Sequence, residues 1–191
     1  PGLYADETSI IYNAYSILQT GKDEYGTALP LNLKSFGDFK PAIYTYLTIP
    51  FVAAFGLNEW AVRVPSAIFG VAAVLILYFL IFELFKNKWL AVLSAFFLTI
   101  SPWHLQFSRS GFEANVALFF NILGIYFFIK KKYIFLALIF GLSLFTYQAS
   151  RFFIPLILIS LLFFYKKQIS WNISFKLATL IISLFFIVMV Y

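Results

Sequence analysis

The chain contains no cysteine, only one histidine and one methionine, and few charged side chains, which make up 12% of its 191 residues. Without cysteine, a disulfide framework, a thiolate metal site and a cysteine nucleophile are all excluded. A soluble domain usually carries about twice this share of charged residues. The shortage of charge therefore argues against a soluble domain.

Apolar and aromatic residues are present in excess. Hydrophobic residues make up 62% of the chain and aromatic residues 22%, including 26 phenylalanines and 12 tyrosines, and the mean hydropathy is +0.90. A core of this size cannot bury so many large side chains. The composition excludes a soluble domain, a disordered tail and a nucleic-acid module, and it predicts a membrane protein. Because the chain begins at Pro1 and stops inside an apolar run, we expect a fragment that lacks both ends.

Six apolar segments are candidates for membrane-spanning helices, which need about 20 residues to cross the roughly 30 Å hydrocarbon layer. They are residues 64–85, 89–107, 114–129, 133–149, 152–165 and 177–191. A shorter stretch, 41–56, is broken by Pro50 and is predicted to be re-entrant or interfacial. We therefore predict an all-α polytopic bundle of about six transmembrane helices over 64–191, truncated at both chain ends. It follows a first outer loop (1–63) with juxtamembrane helices.

The lysines indicate the side of the membrane on which each connection lies. Eight of the eleven lysines fall in the connections after the first, third and fifth predicted spans, namely Lys86, Lys88, Lys130, Lys131, Lys132, Lys166, Lys167 and Lys176. The positive-inside rule places these connections in the cytoplasm. All three arginines and seven of the eight carboxylates then lie on the outer side. Because arginine there opposes the topological bias, we expect an anion to bind on that side.

The segment before the spans begins with an amphipathic stretch. Its apolar residues at helical spacing are Ile10, Ile11, Ala14, Ile17 and Leu18, and Gly21 is the predicted stop. Residues 22–41 are polar and rich in turn-forming residues. Asp6 and Glu7 precede the stretch, and a carboxylate here is a candidate general base or metal ligand. Spacing alone favours another interpretation, in which Asp6 caps the helix and Glu7 interacts with its dipole.

Two outer turns carry further candidates. In Ser108-Arg109-Ser110-Gly111-Phe112-Glu113, the arginine and the glutamate are spaced i, i+4, so on one helix they would either pair or face a site together. The segment Tyr147-Gln148-Ala149-Ser150-Arg151 is either an interfacial anchor or a phosphate contact. Lys40 and Arg63 are two more cations beside predicted membrane entry points. A lone His104 makes a poor metal site, and the chain has no P-loop, dinucleotide fingerprint or HExxH motif.

Six short segments follow one another in residues 2–115: Asp6-Glu7, Thr20-Gly21, Lys40-Pro41-Ala42-Ile43-Tyr44, Gly56-Leu57-Asn58-Glu59, Arg63-Val64-Pro65-Ser66 and Ser101-Pro102-Trp103. This succession resembles the multi-pass glycosyltransferases of the GT-C fold, the protein O-mannosyltransferase and aminoarabinose transferase group. These enzymes use a sugar on a polyprenyl phosphate as donor. The later spans match mainly in layout, and residues 147–151 match less closely.

The resemblance implies roles for the candidate residues. Asp6 would be the catalytic base, with Glu7 beside it, and Glu113 would help to hold the acceptor, a metal ion or the base. Lys40 would contact the donor phosphate. We place the remaining candidates around the substrate, namely Arg63, Arg109, Tyr147 and Arg151. The only cofactor that the resemblance allows for is a divalent metal ion.

The sequence thus predicts a glycosyltransferase in the plasma membrane with its active site on the outer face. It would invert the sugar's anomeric carbon while transferring it from polyprenyl phosphate to a protein, lipid or glycan acceptor. A transporter or flippase of anionic lipid-linked sugars is the main alternative, but transporters place ionisable groups near the bilayer midplane, where these predicted spans carry almost none. A non-catalytic membrane scaffold is a second alternative, in which Asp6→Asn would alter only stability.

Overall fold

The computed structural model describes residues 2–35 and 37–165 of the chain, and these are mostly helical. Within these ranges the eight helices are α1 (Ala5–Thr20), α2 (Ile43–Phe55), α3 (Glu59–Phe85), α4 (Lys88–Ile100), α5 (Pro102–Arg109), α6 (Glu113–Ile129), α7 (Tyr133–Leu144) and α8 (Ser150–Tyr165). Two strands, β1 (Asn32–Ser35) and β2 (Asp38–Pro41), lie between α1 and α2. The predicted span at 177–191 lies outside the described residues.

Helix α1 confirms the amphipathic prediction. Its buried face includes Ile10, Ile11, Ala14 and Ile17. Only Leu18 of the predicted face is exposed, and Gly21 ends the helix with φ 71°, a left-handed conformation that suits glycine. The helix begins at Ala5 with Tyr4 as N-cap, so Asp6 lies in the first turn. The interpretation of Asp6 as the helix cap is therefore wrong.

An antiparallel hairpin replaces part of the turn-rich segment predicted over 22–41. The pairing runs from Asn32 opposite Pro41 to Ser35 opposite Asp38, and Gly37 in the connection has φ 87°. The all-α prediction is wrong at this point. Each strand has only one large apolar residue, Leu33 or Phe39, which is too few for an alternation of apolar and polar residues to be recognised. The hairpin is important for the site because it carries Lys40 towards α1.

Helix α3 is central to the fold and packs against α2, α4, α5 and α6. Among the described residues, it is the one helix that is long and apolar enough to cross a membrane alone. Helices α2, α6, α7 and α8 are apolar but have only 12–17 residues. The structure therefore agrees with a helical membrane protein, whereas the complete polytopic arrangement stays a prediction.

Two predicted spans differ in extent from the helices. The segment 89–107 is not one straight span, because α4 and α5 meet at Ser101 with a bend of 60°. Pro102 is the first residue of α5. The N–H group at this position has no partner within a helix, so proline, which lacks that group, is tolerated there. The segment 133–149 is also shorter than predicted, since α7 ends at Leu144.

The predicted outer and inner segments meet at opposite ends of α3. Near its beginning, Arg63 contacts α1, and Ser66 Oγ donates to the Phe107 carbonyl 2.8 Å away. Near its other end, Glu83 forms ion pairs with Lys86 and Lys130. Within the described residues, the lysine connections at 86–88 and 130–132 thus lie together at one end of α3, and the third predicted inner connection lies outside those residues. Which group lies outside the cell stays a prediction.

Candidate functional site

Asp6 and Lys40, the predicted base and the predicted phosphate ligand, are in direct contact. Lys40 Nζ donates a hydrogen bond to Asp6 Oδ1, although the two residues are 34 positions apart. The first turn of α1 positions the carboxylate, and the last part of β2 positions the ammonium group. The Asp6 side chain is 49% exposed and that of Lys40 is 20% exposed. The pair is therefore accessible to a ligand from the side of Asp6.

Glu113 adds a second carboxylate to this pair. It is the first residue of α6, and burial raises the pKa of its carboxyl group above 4.5, with a smaller opposing effect from Lys40. Glu113 and Lys40 line a small cleft with Tyr44 and Thr45 of α2, and the cleft has room for about one water molecule. The structure thus gathers three of the predicted residues into one cluster, which we call the carboxylate–lysine cluster (Asp6, Lys40 and Glu113).

Glu7 follows Asp6 in the sequence but has a different environment. Its side chain is completely buried and accepts four N–H hydrogen bonds. Arg63 donates from Nε and Nη2, both at 2.8 Å. The backbone N–H groups of Gly111 and Tyr4 donate at 2.7 Å and 3.0 Å. Glu7 therefore connects α1 to α3 and to the turn before α6.

The surroundings of Glu7 favour its ionised form. Burial by itself would raise the pKa of Glu7, but the hydrogen bonds from Arg63, Gly111 and Tyr4 and the charge of Arg63 together hold this pKa below its usual value of 4.5. A carboxylate with all its bonds inside the protein is poorly placed to accept a proton from a substrate. These contacts fit a residue that positions Asp6. Because the Glu7 side chain is buried, it does not face the space open to a substrate, and its predicted catalytic role stays a prediction.

Arg63 and Arg109 lie together beside a second, larger cleft. This cleft has a volume of about 350 Å³, and its lining also includes Trp60 and Ser108. Arg63 is already paired with Glu7 and, through Nη1 at 3.1 Å, with Glu59. Arg109 is exposed and forms no ion pair within residues 2–35 and 37–165. Of the two, Arg109 is therefore the guanidinium more readily available to an anion.

Arg109 and Glu113 do not lie on a common helix. Helix α5 ends at Arg109, and α6 begins at Glu113 after the extended residues Ser110 and Phe112. The predicted i, i+4 pairing is therefore wrong. The break has a consequence for the site, since it turns Glu113 towards Lys40 and leaves Arg109 at the larger cleft.

The turn that contains Tyr147 and Arg151 lies against the hairpin. Gln148 Nε2 donates to the Phe39 carbonyl of β2 at 2.6 Å, next to Lys40 in the sequence. Tyr147 is partly buried, and the Nε atom of Arg151 is buried without a hydrogen-bond partner in the described part of the chain. The structure therefore brings this turn near the cluster, and the substrate contacts of Tyr147 and Arg151 stay predictions.

Gly111 is a site residue that sequence spacing does not reveal. Its N–H group contacts Glu7, and the backbone must approach α3 closely to make that bond. A Cβ atom at Gly111 would lie 2.8 Å from Val62 Cγ2 and 3.0 Å from the Val62 carbonyl oxygen. The only signal in the sequence is the glycine between two predicted helices.

The described residues do not gather a metal-binding set. No group of three or more His, Cys, Asp or Glu side chains is placed to hold a metal ion in residues 2–35 and 37–165. Lys40 places a positive charge beside Asp6 and lines the small cleft with Glu113. The predicted divalent metal ion stays a prediction.

Comparison with known protein families gives a match over most of the chain. Residues 40–191 match the family model described as "Dolichyl-phosphate-mannose-protein mannosyltransferase". No curated protein and no solved structure matches the chain. The matched range includes Lys40, Glu113 and all three arginines, whereas Asp6 and Glu7 precede it.

Proposed function

The chain belongs to the dolichyl-phosphate-mannose-protein mannosyltransferase family of membrane glycosyltransferases, and on that premise we propose that it transfers a sugar from a polyprenyl-phosphate donor to an acceptor hydroxyl. The transfer takes place at the outer face of the membrane, inverts the anomeric carbon and uses Asp6 as the base. The acceptor is a protein, a lipid or a glycan.

The observation that carries this proposal is the carboxylate–lysine cluster. Its members come from the first turn of α1, from β2 and from the start of α6, so that only folding brings them together. The cluster offers a partly exposed carboxylate next to an ammonium group. A displacement at a sugar phosphate needs these two groups, one for the acceptor's proton and one for the leaving phosphate.

The reaction assigns opposite tasks to the two groups. As the acceptor oxygen forms its bond to the anomeric carbon, the bond from that carbon to the phosphate oxygen breaks and the phosphate gains negative charge. Lys40 stabilises this charge more strongly in the transition state than in the ground state. Asp6 accepts the hydroxyl proton on the opposite side of the sugar, which gives inversion.

Donor binding would change the partner of Lys40. In this structure the ammonium group is hydrogen-bonded to Asp6. A donor phosphate competes for the same ammonium group, and its binding would release the Asp6 oxygen for the acceptor hydroxyl. Glu113 lines the small cleft together with Lys40, so a second carboxyl group stays beside the lysine when Asp6 is released.

The position of the cluster suits a lipid-linked substrate. A polyprenyl tail stays in the hydrocarbon layer, so its phosphate reaches only the interface. Trp60 and Trp103 are 73% and 55% exposed at the same end of α3, and exposed tryptophan favours the interface. Arg109 at the larger cleft supplies a further positive charge there.

The test is sugar transfer by the full-length protein in membranes, with labelled polyprenyl-phosphate hexose or pentose and crude acceptor. Asp6→Asn should lower the transfer rate at least about 100-fold, the lower range for loss of a general base. Glu24→Gln is the matched control. Glu24 is an exposed carboxylate in the same region, and it accepts a hydrogen bond from Asn13 of α1. The control should transfer at the wild-type rate.

Two outcomes would contradict the proposal. Equal transfer by wild type and Asp6→Asn would remove Asp6 from the mechanism. Movement of the donor across the bilayer without any transfer would favour the flippase instead.

A further inference from the structure

The end of α3 opposite the carboxylate–lysine cluster gathers basic residues from two connections. One connection, between α3 and α4, carries Lys86 and Lys88, and the other, between α6 and α7, carries three consecutive lysines at 130–132. All five side chains are in exposed residues. We call these five residues the lysine patch.

A single carboxylate holds the two halves of the patch together. Glu83 Oε1 pairs with Lys86 Nζ at 2.8 Å, and Glu83 Oε2 pairs with Lys130 Nζ at 2.7 Å. The second pair joins residues 47 positions apart. Five ammonium groups around one carboxylate leave a net charge of +4 on this surface.

The patch lies beside exposed aromatic residues. Trp89, which follows Lys88, is 79% exposed, and Phe85 before Lys86 is 60% exposed. Lys132 Nζ lies 6.0 Å from the centre of the Phe135 ring. Lysine next to exposed tryptophan and phenylalanine is the arrangement of a membrane–water interface, with charge in the water and rings among the headgroups.

Topology alone does not account for this geometry. The positive-inside rule requires lysines in a connection but does not require two connections to converge on one carboxylate. Lys86 and Lys131 also have φ values of 52° and 57°, a conformation that is uncommon for residues other than glycine. Both connections are thus turned tightly, which keeps their lysines close to the helix ends.

We propose that the lysine patch binds the phosphate headgroup of an anionic phospholipid, so that the protein carries a lipid-binding site at the end of α3 remote from its active site. Lys88, Lys131 and Lys132 form no ion pair in the described part of the chain, so their charges are available to the headgroup. The acyl chains lie along the exposed apolar residues beside Trp89. Clusters of lysines next to a membrane helix attract anionic lipids in this way.

Quenching of Trp89 by brominated lipids tests the proposal. The full-length protein is reconstituted in vesicles of phosphatidylcholine that contain either brominated phosphatidylglycerol or brominated phosphatidylcholine. The signal of Trp89 is the difference in emission between wild type and Trp89→Phe. We expect phosphatidylglycerol to bind near Trp89 at least about fivefold more tightly than phosphatidylcholine, since one lysine near an anionic headgroup contributes about this factor.

Matched double variants identify the lysines responsible. Lys131→Gln with Lys132→Gln should lower the lipid preference several-fold, with Lys88 left to supply what remains, and it leaves both Glu83 ion pairs intact. Lys22→Gln with Lys34→Gln is the control, because it removes two exposed lysines from the other end of the fold. This control also includes a lysine that lies over an aromatic ring, Lys34 over Tyr25 at 5.3 Å. It should leave the preference unchanged.

The proposal is overturned if wild-type Trp89 is quenched equally by the two lipids, or if the control pair lowers the preference as much as the patch pair. Should the patch variant fail to fold, the wild-type protein still gives an answer. Its preference for phosphatidylglycerol should decline steeply as salt is raised, because exposed charges are screened. A preference that is independent of salt would overturn the proposal as well.

Discussion

Removal of one partner of the buried ion pair between Glu7 and Arg63 should strongly destabilise the contact between α1 and α3. The perturbation is Glu7→Gln, which keeps the shape of the side chain but removes its charge. The amide offers one acceptor oxygen and turns an NH₂ group towards N–H donors of Arg63 or Tyr4. Arg63, with its side chain 19% exposed, is left with Glu59 as its carboxylate partner.

The magnitude follows from burial. Breaking a buried ion pair by removing one partner costs about 3–5 kcal/mol. The lower value, about 3 kcal/mol, applies here because Arg63 keeps Glu59 and some contact with water. For a protein of this size that corresponds to a fall of about 6–12 °C in the unfolding midpoint.

Glu59→Gln is the matched control, since it makes the same chemical change to a second partner of the same arginine. Glu59 is 46% exposed and pairs with Arg63 at i, i+4, so its loss should cost only about 0.3–0.5 kcal/mol. The assay is thermal unfolding of the detergent-solubilised protein, followed by tryptophan fluorescence. Equal shifts of the unfolding midpoint in the two variants would refute the reasoning, because the buried and the exposed carboxylate would then contribute equally.

Three further predictions follow from the same structure. Because the pKa of Glu7 is held below 4.5 in the folded protein, the unfolded chain binds more protons as the pH falls below about 4.5. The unfolding midpoint should therefore drop more in wild type than in Glu7→Gln, since the other ion-paired carboxylates are present in both proteins. Gly124→Ala should destabilise the protein by about 1–3 kcal/mol in a denaturant titration, because a Cβ atom would lie 2.1 Å from the ring of buried Phe140, whereas Gly2→Ala meets no atom within 4 Å and should have no effect. A membrane-impermeant maleimide applied to intact cells should label Tyr25→Cys and not Lys131→Cys, and the reverse pattern would place the active site on the inner face.

The elements that could be predicted from sequence are those whose signal repeats along the chain. Helix α1 shows its apolar face over about two and a half turns, from Ile10 to Leu18, and ends at a glycine, so both its face and its end were predictable. Proline is a less reliable signal. Pro50, Pro65 and Pro155 lie inside α2, α3 and α8, whereas Pro102 stands at a 60° bend. The residue type is the same, so proline alone does not distinguish the interior of a helix from its boundary.

The site was predictable as a set of residues but not as an arrangement. Asp6 and Glu7 are adjacent and chemically alike, so the sequence gives no reason to assign them different environments. On a helix, neighbouring side chains point about 100° apart. Only the packing of α1 against α3 determines that Glu7 is buried against Arg63 while Asp6 faces Lys40. The contact between Asp6 and Lys40 likewise depends on a hairpin that is too short to be recognised.

Helix α3 also has a consequence for the depth of the protein in its bilayer. Its ionised side chains at the two ends, Arg63 and Glu83, are 20 residues apart, which corresponds to about 30 Å of helix and to the thickness of the hydrocarbon layer. Each is tied to partners on other segments, Arg63 to α1 and Glu83 to both lysine connections. A membrane thinner than this length is met by tilting or kinking the helix or by local thickening of the bilayer. Tilting α3 would move Arg63 together with Glu7, so hydrophobic mismatch at the lipid boundary would be transmitted to the position of Asp6.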